Sequence, residues 1–116
     1  MFHACSSLKS LDLLSFNTNN TNDIDCMFSE CSSLKNIDLS NFVAYKVKDT
    51  KGIFYAWSPL KSVDLLSFDT INVNDMSNMF SKYSSIENIN LSSFNTKNVN
   101  NISYILFSCS SLKSLD

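Results

Sequence analysis

Four cysteines, one histidine and two rows of charged residues are the side chains of this 116-residue chain that could do chemistry. Cys5, Cys31 and Cys109 recur at one place in a repeating pattern, shared with Trp57 and Tyr83. Cys26 falls at another, with Gly52, Asn78 and Tyr104. Thiols so placed could form a disulfide ladder or hold a soft metal. Zinc sites want cysteines or histidines paired at short spacing. There is no CxxC and His3 stands alone, so no metal ligand and no cofactor is assigned. A small apolar residue repeated at a core margin accounts for the column. A tryptophan in the place of a fully buried cysteine would overpack it, so the column is expected at a partly open corner. Adjacent repeats would bring Cys5 and Cys31 near the range of about 4.4–6.8 Å that a disulfide spans between Cα atoms, but free thiols are expected.

The charged rows are Lys9, Lys35, Lys61 and Lys113, broken by Glu87, and Asp12, Asp38, Asp64 and Asp116, broken by Asn90. The two breaks fall in the same repeat, which keeps two carboxylates off one rung. Calcium needs about six to eight oxygens from several directions, and one row of aspartates supplies too few. The rows read as a charge-balanced face, with Lys9, Asp12, Lys35, Asp38, Lys61 and Asp64 as candidate partner-binding residues. The stretch 43–52, from Val43 to Gly52, departs most from the pattern and sets Tyr45, Tyr55 and Trp57 close to Lys46, Lys48 and Lys51. Aromatics beside cations make anchors for partners, so Tyr45 and Lys48 join the candidates. No catalytic residue is assigned. The serine pairs, such as Ser6-Ser7 and Ser84-Ser85, have no base within a repeat, and a periodic chain does not converge unique groups on one pocket.

The elements that must position these residues repeat every 26 residues without insertion or deletion. Phe2, Phe28, Phe54, Phe80 and Leu106 share one column; Leu8, Leu34, Leu60, Ile86 and Leu112 another; Phe16, Phe42, Phe68 and Phe94 a third. A period of this length implies stacked repeats. Leu8-x-x-Leu11-x-Leu13 predicts a short strand with Leu11 and Leu13 on one face and Asp12 on the other. Positions 21, 24, 27 and 28 are spaced for a short helical or 3₁₀ segment on the opposite side. Asp23, Asp49, Asp75 and Asn101 precede it as turn or cap residues. The expected fold is therefore an α/β solenoid of about four and a half coils, with short parallel strands on one face. Its repeats run approximately 5–30, 31–56, 57–82 and 83–108, with a partial one at 109–116. The register opens and closes inside a repeat, so a piece of a longer array is expected.

The spacing LxxLxL resembles a leucine-rich repeat. The longer runs CSSLKSLDLLSFNT (5–18), CSSLKNIDLSNF (31–42) and MFSKYSSIENINLSSFNTKNVNNIS (79–103) are similar to repeats of BspA-like surface proteins, and more narrowly to the mycoplasma lipoprotein-associated repeat. The resemblance covers essentially the whole chain. It implies a surface or secreted location and a role in adhesion or partner contact. No signal peptide, lipobox or wall anchor lies within these residues.

Composition narrows the classes. The net charge is −2 and every basic residue is lysine, which argues against a nucleic-acid partner. No apolar run reaches the roughly 20 residues that span a bilayer, so no direct membrane insertion is expected. The sequence reading is a non-enzymatic protein-binding or adhesion module, with a protein as its partner. The contender is an intracellular scaffolding array.

Overall fold

The computed structural model describes residues 1–40, 42 and 44–116. Asn41 and Val43, the latter the first residue of the divergent stretch, lie outside the described residues. What the 26-residue period sets is register. Strand β1 (Ser10–Leu11) pairs in parallel with β2 (Asn36–Ile37), Ser10 opposite Asn36. Strand β3 (Asn88–Ile89) pairs likewise with β4 (Ser114–Leu115). Parallel bridges at the same offset join Asp23 to Asp49, Asp49 to Asp75 and Asp75 to Asn101.

The expected α/β solenoid is not what forms. Among the described residues there is no helix, and strand is confined to those four two-residue pieces in two separate two-stranded sheets. The continuous strand face is absent, and so is the helical return. The principal extents, 29 × 28 × 20 Å, give no elongated body either. The hydrogen bonds give the physical reason. Across residues 24–31 the amides alternate in direction. Ile24, Cys26, Phe28 and Glu30 donate to the carbonyls of Asp49, Lys51, Ile53 and Tyr55 in the following repeat, at 3.2, 2.9, 3.1 and 2.9 Å. Met27, Ser29 and Cys31 donate back three residues to Ile24, Cys26 and Phe28, at 3.1, 3.1 and 3.4 Å. Every second amide is thereby turned outward, and none is left for the i→i−4 bonds of a helix. The spacing of three seen in the sequence is that of consecutive tight turns.

These turns put their third residue in the left-handed region. Cys26, Gly52, Asn78 and Tyr104 form one such column (φ 51° to 59°), and Ala4, Glu30, Ala56, Lys82 and Ser108 form another (φ 52° to 60°). Only one of the nine is glycine, although a side chain there costs about 1–2 kcal/mol. Ala56→Gly, whose amide would still donate to Ser81, is expected to stabilise the protein by about 1 kcal/mol in urea denaturation. At Gly52 the gap is also used: an added Cβ would lie 3.2 Å from Cys26 Sγ.

The strands are short because side chains end them. Asp12, Asp38, Asp64 and Asn90 each accept from the backbone amide two residues on, at Leu14, Ser40, Leu66 and Ser92 (2.9–3.0 Å). This is an Asx turn, and it bends the chain directly after the strand position. A second row does the same from Asp23, Asp49, Asp75 and Asn101 to Asp25, Lys51, Ser77 and Ser103. A third uses Asn17, Asp69 and Asn95.

The core lies between the turn side and the strand side. Rings stack through it at the 26-residue offset. Phe2, Phe28, Phe54 and Phe80 sit 5.8, 6.1 and 5.7 Å apart, with planes within 17° of parallel. Phe42, Phe68 and Phe94 stack at 6.0 and 6.2 Å. The cysteine column also belongs to this core, which corrects the expectation of an open corner: Cys31, Trp57 and Tyr83 are fully buried, and only Cys5 and Cys109, at the two ends, are half-buried. The indole fits because it stacks on Phe54 at 5.1 Å, on Tyr83 at 6.0 Å and on Phe28 at 6.1 Å.

Candidate functional site

The six candidates from the two rows, Lys9, Asp12, Lys35, Asp38, Lys61 and Asp64, lie on the strand side and are exposed. The aspartates are not free there. One oxygen of each is committed to its Asx turn, so the row is first a set of strand terminators. That also accounts for Asn90, whose amide oxygen accepts the same bond. The pattern Asp/Asn followed by a strand end every 26 residues was the signal for this role. Among the described residues no group of histidine, cysteine or acidic side chains could hold a metal ion.

The lysine row is more than a solvated stripe at one end. Glu87 lies between Lys61 Nζ (2.9 Å) and Lys113 Nζ (2.7 Å). Hydrogen bonds from Lys113 and Lys61 pull its carboxyl down to about 2. The folded value is below the unfolded one. Stability from the cluster is therefore full above the ordinary glutamate range near 4.5 and is lost as pH falls through about 2. Glu87→Gln is expected to lower stability at neutral pH by a modest amount, the same amount that acid removes from the cluster, since exposed ion pairs contribute little. It should flatten the loss of stability between pH 5 and pH 2.5, followed by urea melts at both values. An equally steep loss would rule the cluster out as its source.

The divergent stretch separates into parts. Trp57 is in the core. Tyr55 is half-buried and carries Lys82 over its ring at 5.4 Å. Tyr45 is 39% exposed, with Lys46 Nζ 5.5 Å from its ring centre. Lys48 is exposed nearby in sequence, while its backbone bridges Asn22 and Asn74. Of the aromatic-basic cluster read over 43–52, the contact present is that of Lys46 with Tyr45, with Lys48 exposed three residues along the chain from Tyr45. A fourth member, missed in the sequence, is Ile71, 44% exposed and one repeat on in the Tyr45 register. Asn72 Nδ2 donates to the Tyr45 carbonyl, which fixes the two repeats side by side at this point. The column Asn19, Tyr45, Ile71, Lys97 held the signal: large apolar residues in an otherwise polar register.

Cys26, Cys31 and Cys109 are chemically quiet. All four thiols are free. Burial and the hydrogen bond to the Asp25 carboxylate (3.0 Å) push Cys26 up to about 11. Burial also raises Cys31 and Cys109, whose sulfurs donate to the carbonyls of Phe2 and Phe80 at 3.0 Å. Thiols held protonated are poor nucleophiles.

On the strand side one junction differs from the others. Glu87 N–H donates to Lys61 O (2.9 Å) and Lys113 N–H to Glu87 O (2.8 Å), while Lys35 N–H donates to Lys9 O (3.3 Å). No backbone hydrogen bond joins 35–38 to 61–64 among the described residues. A cleft of about 340 Å³ lies there, lined by Lys35, Ile37, Pro59, Lys61, Val63 and Asp64 among others, with a smaller one of about 140 Å³ beside it along Asp38 to Ser40.

No curated protein and no solved structure matches the chain. A family model described as "Mycoplasma protein of unknown function, DUF285" matches residues 1–64 and again 35–115. The two matches together span nearly the whole sequence, and the chain belongs to the DUF285 repeat family.

Proposed function

We propose that this chain is a non-enzymatic protein-binding module of a surface or secreted protein, acting in adhesion or attachment. The observation that carries the reading is the exposed pair Tyr45 and Ile71, with Lys46 over the Tyr45 ring and Lys48 free to reach a partner. Large apolar side chains left at the surface beside cations suit a protein partner. The rows Lys9, Lys35, Lys61 and Asp12, Asp38, Asp64 would add weak polar contacts. The surface location rests on the resemblance of the CSSLKSLDL and LSSFNTKNVNNIS runs to BspA-like leucine-rich-repeat and mycoplasma lipoprotein-associated repeats. Nucleic acid is disfavoured by the net charge of −2, and among the described residues no helix is long and apolar enough to cross a membrane.

The four free thiols favour a second reading, an intracellular scaffold in a reducing compartment. Binding of the labelled protein to intact host cells and to a panel of purified matrix and serum proteins separates the two. The proposal expects at least one partner whose affinity falls about tenfold or more, roughly 1.4 kcal/mol, in Tyr45→Ala/Lys48→Ala. Binding to nothing on the panel, or an affinity indifferent to that change, would sink it.

A further inference from the structure

At the break between β2 and residues 61–64 the amide of Lys61 lacks the bond that its counterparts make at the other junctions, Lys35 to Lys9 O, Glu87 to Lys61 O and Lys113 to Glu87 O. At the last junction Lys113 N–H meets Glu87 O, and Asp116 N–H meets Ile89 O (3.1 Å). The equivalent groups at the break are the amides of Lys61 and Asp64 and the carbonyls of Lys35 and Ile37, and none of them has a backbone partner among the described residues. Such an edge is a template for an added strand. The ends of the cleft are charged in opposite senses, with Lys35 and Lys61 at one and Asp38 and Asp64 at the other. Lys61 is shared with Glu87 and each aspartate has one oxygen in its turn, which leaves Lys35 as the unengaged cation and the second aspartate oxygens as acceptors.

We infer that this cleft takes an extended peptide segment of another protein, held by main-chain hydrogen bonds to these open groups. An acidic side chain of the segment faces Lys35, and a basic one about three residues further on, roughly 10 Å at strand rise, faces Asp38 and Asp64. The volume suits a main chain with small side chains rather than a folded domain. The inference rests on the protein-binding reading but names a surface separate from Tyr45 and Ile71.

The probe is a capped seven-residue peptide of alternating threonine and valine carrying one glutamate and, three residues on, one lysine. Its binding is followed by backbone amide shifts of the labelled protein. The expected result is saturable binding in the micromolar to millimolar range with shifts centred on 35–38 and 61–64. Affinity should fall at least fivefold for Lys35→Glu and be recovered when the peptide's two charges are exchanged in that background. Methylation of the peptide's backbone nitrogens should abolish binding. No saturable shift, or equal binding by the methylated peptide, overturns the inference. Loss of this binding with Tyr45-dependent partner binding intact removes the cleft alone. Peptide binding in a protein that binds no partner on the cell or protein panel removes the adhesion reading and leaves the cleft.

Discussion

Trp57→Ala is expected to cost about 3–5 kcal/mol, the range for a fully buried large aromatic. That lowers the melting temperature by on the order of 10 °C or more. The indole has no exposed surface, and it touches rings from three other repeats: Phe28, Phe54 and Tyr83. Its Nε1 also donates to Leu34 O at 3.1 Å, a buried bond. One repeat on, the equivalent carbonyl, Leu60 O, is served by Ser85 Oγ at 2.8 Å. At Leu34 the counterpart of Ser85 is Pro59, which has no hydroxyl, so Trp57 supplies the missing donor. Trp57→Phe keeps most of the packing and should lose about 1–3 kcal/mol for the carbonyl left unpaired. Adding Pro59→Ser to it should recover part of that loss. A double-mutant cycle in urea showing purely additive effects would refute the exchange of donors.

Tyr83→Phe is expected to raise stability by about 1–2 kcal/mol, from the cost of a buried hydroxyl that has no partner. Tyr83 is fully buried in the same column, and its hydroxyl oxygen has no hydrogen-bond partner among the described residues. Burial also pushes its phenol well above the usual tyrosine range, so it stays neutral. Phenylalanine keeps the ring stacked on Trp57 and removes only the oxygen. An increase in the urea midpoint at unchanged slope is the expected reading. A decrease would mean that the hydroxyl makes a favourable interaction after all.

Register and core were legible in the sequence, because periodic apolar residues report burial directly. The stacked phenylalanine columns are the ones that the spacing picked out. Local conformation was not legible. A spacing of three is common to a helix and to consecutive tight turns, and only the direction of alternate amides, set by the neighbouring repeat, separates them. Left-handed residues are normally flagged by glycine, and here Cys26, Glu30, Ala56 and Lys82 hide them. The aspartate row is visible in the sequence, but the bonds that end the strands run from backbone amides to the carboxylate oxygens, which charge arguments do not reach. Trp57 misled because volume alone was weighed. The stacking partners and the Leu34 carbonyl that make room for it come from other repeats. At the candidate site, Tyr45 and Lys48 could be found by their departure from the pattern. Ile71 stands in an ordinary repeat, so only its column, Asn19, Tyr45, Ile71 and Lys97, carries a signal for it.

The central claim is that the turn ladder, rather than a strand face or helices, holds successive repeats together, and that the strand side is open at one junction. Native-state amide hydrogen exchange measures both at once. The account predicts slow exchange at Cys26, Phe28, Gly52, Phe54, Asn78 and Phe80, whose amides donate across repeats, and fast exchange at Lys61 and Asp64. Slow exchange at Lys61 and Asp64 to the same degree as at Glu87 and Lys113, or fast exchange along the turn ladder, would contradict it.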